Sequence, residues 1–232
     1  MLGVIVNTIS ILAGGTVGLL FKKLLNEKMT SSVMVSMGVA TFIIGIKDAL
    51  KTEKTVLFVI SIAIGTVVGN IIDIDKFVNK LGEFLKKIFN KNSTKDSTFV
   101  EGFASGSILF AVGAMSVLGS INSGLMNDHS ILYLKSTLDF IAAIMYAATL
   151  GVGVIFSAFT ILIFEGLIAI FASYLTFLSS NSALMNEFSA VGNLLVMIIG
   201  LNLMGITKIK VANMLPSIVA VIILYKFIGN LV

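Results

Sequence analysis

Long apolar runs dominate this chain of 232 residues and limit the folds that it can adopt. A helix needs roughly 20 apolar residues to cross the hydrocarbon core of a bilayer. Runs near that length recur along the whole sequence. Hydrophobic residues make up 57% of the chain and charged residues only 12%, against roughly 25% charged in a soluble domain. The sequence therefore predicts an all-α, polytopic integral membrane bundle whose main partner is the lipid bilayer.

We expect about eight spans, at residues 2–21, 31–46, 55–72, 102–119, 132–150, 153–178, 185–203 and 211–228. Residues 140–164 carry no charge and could form one span by themselves, which would give seven in all. Eight is the preferred number because Gly151-Val152-Gly153 fits a tight turn between two helices. Residues 1–232 then form a single transmembrane domain.

Residues 73–98 are the one long polar piece, predicted to be a surface helix with a linker. The apolar residues of this piece recur at helical spacing: Phe77, Leu81, Leu85 and Ile88. Six lysines are interspersed among them and in the linker. This pattern predicts an amphipathic helix lying on the membrane surface. A solvated loop helix is the alternative interpretation.

The distribution of lysines predicts the orientation in the membrane. Eleven lysines lie in the loops after segments one, three, five and seven, and three lie in the loops on the other side. Positive loops face the cytoplasm. We therefore expect the N-terminus outside. The net charge of +4 then reflects orientation, and no nucleic-acid partner is expected.

Small residues predict close helix packing. GxxxG pairs occur at Gly14 and Gly18, Gly65 and Gly69, and Gly102 and Gly106. Such pairs let helix backbones approach closely in lipid. Three pairs exceed the obvious needs of one small bundle, so a homodimer is expected.

A short internal similarity indicates an inverted repeat. Ile43-Ile44-Gly45 in segment two resembles Ile198-Ile199-Gly200 in segment seven. The offset is five spans, an odd number, so segments 1–3 and 6–8 would have opposite orientations. Inverted repeats are typical of secondary transporters, which bind their substrates at the repeat interface.

Residues 113–139 are predicted to contain a broken helix and the functional site. Gly119-Ser120-Ile121-Asn122-Ser123-Gly124 follows an apolar run and has the composition of a backbone break. If it is buried in protein, the break at Gly119 and the side chains of Ser120, Asn122 and Ser123 could bind an ion or substrate. An ordinary turn outside the membrane is the alternative.

Isolated charges in apolar segments extend this candidate site. Lys135 and Asp139 are four residues apart, with Ser136 beside Lys135, so the two charges share a helix face and can pair. Glu165 lies between Leu162-Ile163-Phe164 and Gly166-Leu167-Ile168, and is a candidate proton carrier. The alternatives are an interfacial pair that only fixes helix depth and a neutral glutamate that only packs.

Enzyme motifs are absent from the sequence. It contains no HExxH, no GxSxG and no P-loop. With one histidine and no cysteine, most metal sites and Cys-His catalysis are excluded. We expect no enzymatic activity, no cofactor and no metal.

The sequence resembles a known bacterial family in FAVGAMSVLGSINSGLMND, LKSTLDFIAAI and LGVGVIFSAFTILIFEG. It is similar to the membrane proteins catalogued as domain of unknown function 554. Ser123 stands where that family has an acidic residue, and Glu165 stands where glutamine is typical. The resemblance implies a bacterial inner-membrane protein, often described as a transport protein, and it implies neither a cation role for Ser123 nor a need for a proton carrier at position 165.

Three hypotheses follow for function. The first is a secondary transporter of a small solute, coupled to sodium or protons, with its pathway in segments four to six. The second is a channel or passive pore lined by the same polar residues. The third is a scaffold or sensor whose lysine-rich helix recruits a partner or anionic lipid.

Overall fold

The structure is a computed structural model that describes residues 1–22, 24, 26–89, 97–112 and 114–228. Within these residues the chain forms α1 (Leu2–Lys22), α2 (Glu27–Ala49), α3 (Thr55–Ile72), α4 (Ile74–Phe89), α5 (Ser97–Ala111), α6 (Ala114–Leu125), α7 (Ser130–Leu150), α8 (Gly153–Ile170), α9 (Thr176–Ser179), α10 (Ser182–Leu203) and α11 (Pro216–Ile228). Two 3₁₀ helices lie at Ala172–Leu175 and Val211–Met214. The described part of the chain contains no β-strand, which confirms the all-α prediction.

Six of these helices are long and apolar enough to cross a membrane: α1, α2, α3, α7, α8 and α10. The pair α5 and α6 makes a seventh span if it crosses as one unit, and the apolar helix Val211–Phe227 is shorter. The turn expected between segments five and six is present, because α7 ends at Leu150 and Gly151 adopts a positive φ of 82°. The protein is therefore a polytopic helical membrane protein.

The prediction of a backbone break at residues 119–124 is wrong. These residues lie inside α6, and the helix is interrupted earlier, at Val112, where α5 and α6 meet at 61°. Gly119 and Gly124 are used for helix packing. A Cβ on Gly119 would lie 2.8 Å from a methyl carbon of Leu132, and one on Gly124 would collide with the carbonyl oxygen of Ala169. Small residues are tolerated in membrane helices where neighbouring helices approach this closely.

Two other segments are shorter than predicted. Segment six was expected to reach residue 178, but α8 ends at Ile170 and a 3₁₀ helix follows. Segment eight is predicted as one span at residues 211–228 with a bend at Pro216, and the structure divides it there into a 3₁₀ helix and α11, which begins at Pro216. Proline is favoured at the first helical position because its missing N–H would have no partner there.

The glycine pairs pack inside the chain. Gly14 and Gly18 of α1 lie against the carbonyl groups of Phe140 and Ile144 in α7. The other two pairs pack in the same way. Gly65 and Gly69 of α3 face Ser217 and Asn213, and Gly102 and Gly106 of α5 face Leu150 and Ser157. The expected homodimer stays a prediction, and these glycine faces are occupied by helices of the same chain.

These contacts also fix the relative directions of the helices. Gly14 faces Phe140 and Gly18 faces Ile144, so α1 and α7 run parallel. We call the side of the bundle where α1, α3, α7 and α10 begin the N-terminal side, and α8 ends there. We call the opposite side the α4 side. On α4, Phe77 and Phe84 are exposed, as expected for a surface helix. The side chains of Leu85 and Ile88, the linker at residues 90–96 and Gly113 lie outside what the structure describes.

Candidate functional site

Five polar side chains from four helices meet in the protein interior. Lys135 and Asp139 of α7 form the ion pair that their spacing predicts. Glu165 of α8 lies across from them, with its Oε1 3.8 Å from Lys135 Nζ. Asn7 of α1 and Ser116 of α6 complete the group. We call these five residues the charged cluster.

Asn7 bridges the two carboxylates of the charged cluster. Its Nδ2 lies 3.1 Å from Asp139 Oδ2, 3.1 Å from Glu165 Oε1 and 3.2 Å from Glu165 Oε2. Ser116 Oγ donates a hydrogen bond of 2.7 Å to Glu165 Oε1. The donors on Asn7, Ser116 and Lys135 are thus all directed at carboxylate oxygens.

The charged cluster is buried inside the helical bundle. Glu165 and Asn7 are fully buried, and Lys135 and Asp139 are 5% and 8% exposed. At 1.5 Å per residue, the cluster lies about 8–14 Å from the helix ends on the N-terminal side. The hydrocarbon core is roughly 30 Å thick. If these helices cross the hydrocarbon core along their whole length, the cluster lies inside that core.

Apolar residues lie one helical turn away from the cluster in both directions. Val4, Leu132 and Ala169 form a buried layer on its N-terminal side. Ile11, Ala143 and Ile161, each fully buried, form a second layer toward the α4 side. Each of these six residues is three or four positions along its own helix from a member of the cluster. On α1, α7 and α8 the charges therefore lie between two layers of apolar side chains.

Two polar atoms near this group are buried without a partner. Asn7 Oδ1 and Ser120 Oγ have no hydrogen-bond partner among the residues that the structure describes. Ser120 is one turn from Ser116 on α6. Buried polar atoms are nearly always hydrogen-bonded in native proteins, to protein groups or to bound water, so these two atoms have capacity for a further partner.

The other predicted site residues lie elsewhere. Ser123 Oγ accepts a hydrogen bond from the Met1 amine at 3.2 Å and lies 2.9 Å from His129 Nδ1. Ser136 is buried but donates to the carbonyl group of Leu132 in its own helix, at 2.6 Å. Gly119 packs against Leu132. Asn122 is half-buried in α6, and none of these four residues has a hydrogen bond to the charged cluster.

Asp128 lies just outside the bundle, in the turn before α7. The backbone N–H of Ser130 donates to its Oδ1 at 3.0 Å, and this hydrogen bond lowers the pKa of the exposed carboxyl group. Asp128 therefore stays ionised at neutral pH, which makes it a useful control for the buried carboxylates.

Sequence reasoning missed Asn7 and Ser116. Asn7 is the one amide side chain in α1, and an amide in an apolar span often bonds to another helix. That pattern could have identified it. Ser116 had no comparable signal, because serine is common in the neighbouring sequence.

A cavity of about 270 Å³ lies on the α4 side of the bundle. Its polar lining comes from Asp75, Asn79, Glu101, Ser105 and Asn202. The α5 residues Glu101, Ser105 and Ile108 follow one helix face, and Val112 at the interrupted helix is the next position on that face. The cavity lining on α5 thus ends at Ile108, one helical turn before the break at Val112. It lies on the side of the bundle opposite to Met1.

Comparison with known proteins agrees with this architecture. Residues 2–226 match the family described as "Protein of unknown function (DUF554)". The chain is 33% identical over 222 residues to "Uncharacterized membrane protein YdfK" of Bacillus subtilis, covering 94% of this chain and 93% of the relative. It is 31% identical over 220 residues to "Uncharacterized protein YqgA" of Escherichia coli, with the same coverage. No solved structure matches. The chain belongs to the DUF554 family of membrane proteins.

Proposed function

We propose that this protein is a secondary transporter of a small solute, coupled to protons or sodium ions, with its binding site at the charged cluster. The observation that carries the proposal is the convergence of Asn7, Ser116, Lys135, Asp139 and Glu165 from four helices in the protein interior. The cluster contains three of the predicted site residues.

The energetic cost of these charges supports a functional role. A charged side chain at the centre of a bilayer costs about 2.5–3.5 kcal/mol on insertion scales. A buried ion pair seldom stabilises a fold more than apolar residues of the same volume. Three buried ionisable groups are therefore poor packing elements, and intramembrane charges are usually retained for transport or proton transfer.

Contacts between α2 and α10 support the inverted repeat. In the alignment of the two Ile-Ile-Gly strings, Gly45 is equivalent to Gly200. The same offset makes Gly38 equivalent to Asn193. A Cβ on Gly38 would lie 2.8 Å from the carbonyl oxygen of Gly200, and a Cβ on Gly45 would lie 2.8 Å from that of Asn193. The two contacts are equivalent when the repeats are exchanged, as a two-fold relation requires. Such repeats are the usual framework of alternating access.

The two apolar layers favour a transporter over an open pore. A pore needs a continuous path for water, whereas Val4, Leu132 and Ala169 separate the charged cluster from the N-terminal side. The cavity near Glu101 lies on the opposite side of the bundle. Access from one side at a time is the behaviour that alternating access requires.

Reconstitution with one pair of matched variants tests the proposal. Amino acids, organic acids, sugars and inorganic ions are supplied in turn to wild-type liposomes on a solid-supported membrane. One of these solute classes should give a transient current. Asp139→Asn should abolish that current, because it removes a charge of the cluster while preserving the shape of the side chain. Asp128→Asn, at the exposed turn before α7, should leave it unchanged.

Other outcomes discriminate between the hypotheses. A steady conductance in planar bilayers without a gradient would identify a channel. Equal currents in wild type and Asp139→Asn would exclude the charged cluster as the site. A cellular phenotype that is lost on deletion of α4 and kept in Asp139→Asn would favour the scaffold or sensor.

A further inference from the structure

The charges of the cluster do not balance. Lys135 contributes one positive charge, and Asp139 and Glu165 contribute two negative charges when both are ionised. Among the described residues, Lys135 is the one cation within 4 Å of either carboxylate. The cluster therefore has a net charge of −1 in a setting where an uncompensated charge is strongly unfavourable.

Within the described part of the chain, no group on the neighbouring helices compensates this charge. Asn7 of α1 and Ser116 of α6 face Glu165 with neutral side chains. On α7, Lys135 is already paired with Asp139. The His129 ring lies beyond the apolar layer of Val4, Leu132 and Ala169 and bonds to Ser123. The described residues therefore leave one negative charge of the cluster unbalanced.

The same place has spare hydrogen-bonding capacity. Asn7 uses its amide nitrogen for both carboxylates, and its Oδ1 is buried without a partner among the described residues. Ser120 Oγ, one turn from Ser116, is likewise buried and unpartnered within that part of the chain. Carboxylate, amide and hydroxyl oxygens are the groups that accept a proton or coordinate a hard cation.

We propose that the charged cluster takes up one exchangeable monovalent cation per chain, a proton or a sodium ion, at Glu165 and Asp139. This inference deepens the proposed function and rests on it, because the bound cation would be the coupling ion. Its occupancy makes the cluster neutral, and its release leaves the net charge of −1. Neutralisation lowers the energetic barrier to moving the cluster between two accessible states.

The test measures cation occupancy directly on the full-length protein in lipid nanodiscs. One arm measures binding of radioactive sodium at constant ionic strength, with choline as the replacement cation. The other records infrared difference spectra on changing the pH and follows the carbonyl stretch of a protonated carboxylic acid. Wild type should show either one sodium ion per chain or one such carboxylic acid band.

Two variants assign the signal. Glu165→Gln is isosteric and neutral, and its amide can still bond to Asn7 and Ser116, so it should fold and lose the sodium or the band. Asp139→Asn removes the other negative charge and should also lose it, which keeps the assignment testable if one variant fails to fold. Asp128→Asn is the control and should retain the full signal, since Asp128 is exposed and remains ionised.

The outcomes separate this inference from the proposed function. If wild type binds no sodium and has no carboxylic acid band that Glu165→Gln removes, the cation site is overturned even when solute transport is observed. If the occupancy signal is present but no solute gives a current, the site stands as a cation site and the solute transporter is rejected. A signal that Asp128→Asn removes would assign the cation elsewhere and overturn the site.

Discussion

At the scale of single residues, Glu187 shows how one buried carboxylate fixes a loop. It lies near the start of α10 and is 1% exposed. Its Oε2 accepts a hydrogen bond from Thr52 Oγ1 at 2.5 Å, and its Oε1 accepts from the backbone N–H groups of Glu53 and Lys54 at 2.8 and 3.1 Å. The loop between α2 and α3 is thereby tied to α10 at the point where α3 begins.

Glu187→Ala should destabilise the protein, because it removes the acceptor of these three hydrogen bonds. Hydrogen bonds to charged groups contribute about 1.5–3 kcal/mol. That figure is for one bond, so we expect the free energy of unfolding to fall by at least about 1.5–3 kcal/mol, which lowers the midpoint of thermal unfolding in detergent.

Lys51→Ala is the matched control in the same loop. It removes the exposed ion pair between Lys51 Nζ and Asp48 Oδ1, 2.6 Å apart. Exposed pairs contribute about 0–1 kcal/mol. Equal destabilisation by the two variants would contradict the role assigned to Glu187.

The charged residues of the site could be predicted from the sequence, and their contacts across helices could not. Lys135 and Asp139 are predictable because four residues separate them on one helix. Their contact with Glu165 and Asn7 depends on the packing of α1 against α7 and α8, which no local pattern encodes. Asn7 and Glu165 are 158 positions apart.

At the scale of elements, the helices are predicted best where an apolar run ends in charge. Segment three was expected at residues 55–72, and α3 spans Thr55–Ile72. The interruption between α5 and α6 was misplaced because glycine and serine have two uses in a membrane helix. They can break it, or they can pack it, as Gly119 and Gly124 do. Composition alone does not distinguish these uses.

Close packing of α1 on α7 gives a prediction for single glycines. A Cβ on Gly18 would collide with the carbonyl oxygen of Ile144 and lie 3.0 Å from the Cβ of Ala147. Gly18→Ala should therefore force the two helices apart, at a cost of about 1–3 kcal/mol, typical of overpacking. The midpoint of thermal unfolding in detergent should fall accordingly.

Gly166→Ala is the comparison for Gly18→Ala. Gly166 is also helical, but a Cβ there would meet only the Cε atom of Met1, at 4.0 Å. Alanine is favoured over glycine in a helix by roughly 1 kcal/mol. Gly166→Ala should thus leave the midpoint unchanged or raise it, and a fall as large as that of Gly18→Ala would count against close packing as the cause.

At the scale of the whole molecule, the fold and the lysine pattern describe the same two sides. The loop between α2 and α3 lies on the N-terminal side, and the loop between α10 and α11 lies on the α4 side with the cavity. If the α4 side faces the cytoplasm, as the lysine count predicts, the cavity opens inward and the charged cluster lies nearer the outside. The direction of solute access then follows from the orientation alone.

The absence of cysteine makes this orientation directly measurable. A single Lys51→Cys places a thiol in the loop on the N-terminal side, and a single Lys208→Cys places one on the α4 side. Both positions are exposed. In intact cells, a membrane-impermeant maleimide should label Lys51→Cys, and it should label Lys208→Cys only after the membrane is permeabilised. The physical reason is that the positive loops stay in the cytoplasm during insertion.

Labelling in the reverse order would place the N-terminus inside, and the cavity near Glu101 would then open to the outside. Labelling of both thiols in intact cells would contradict the predicted crossing of the membrane between the two loops.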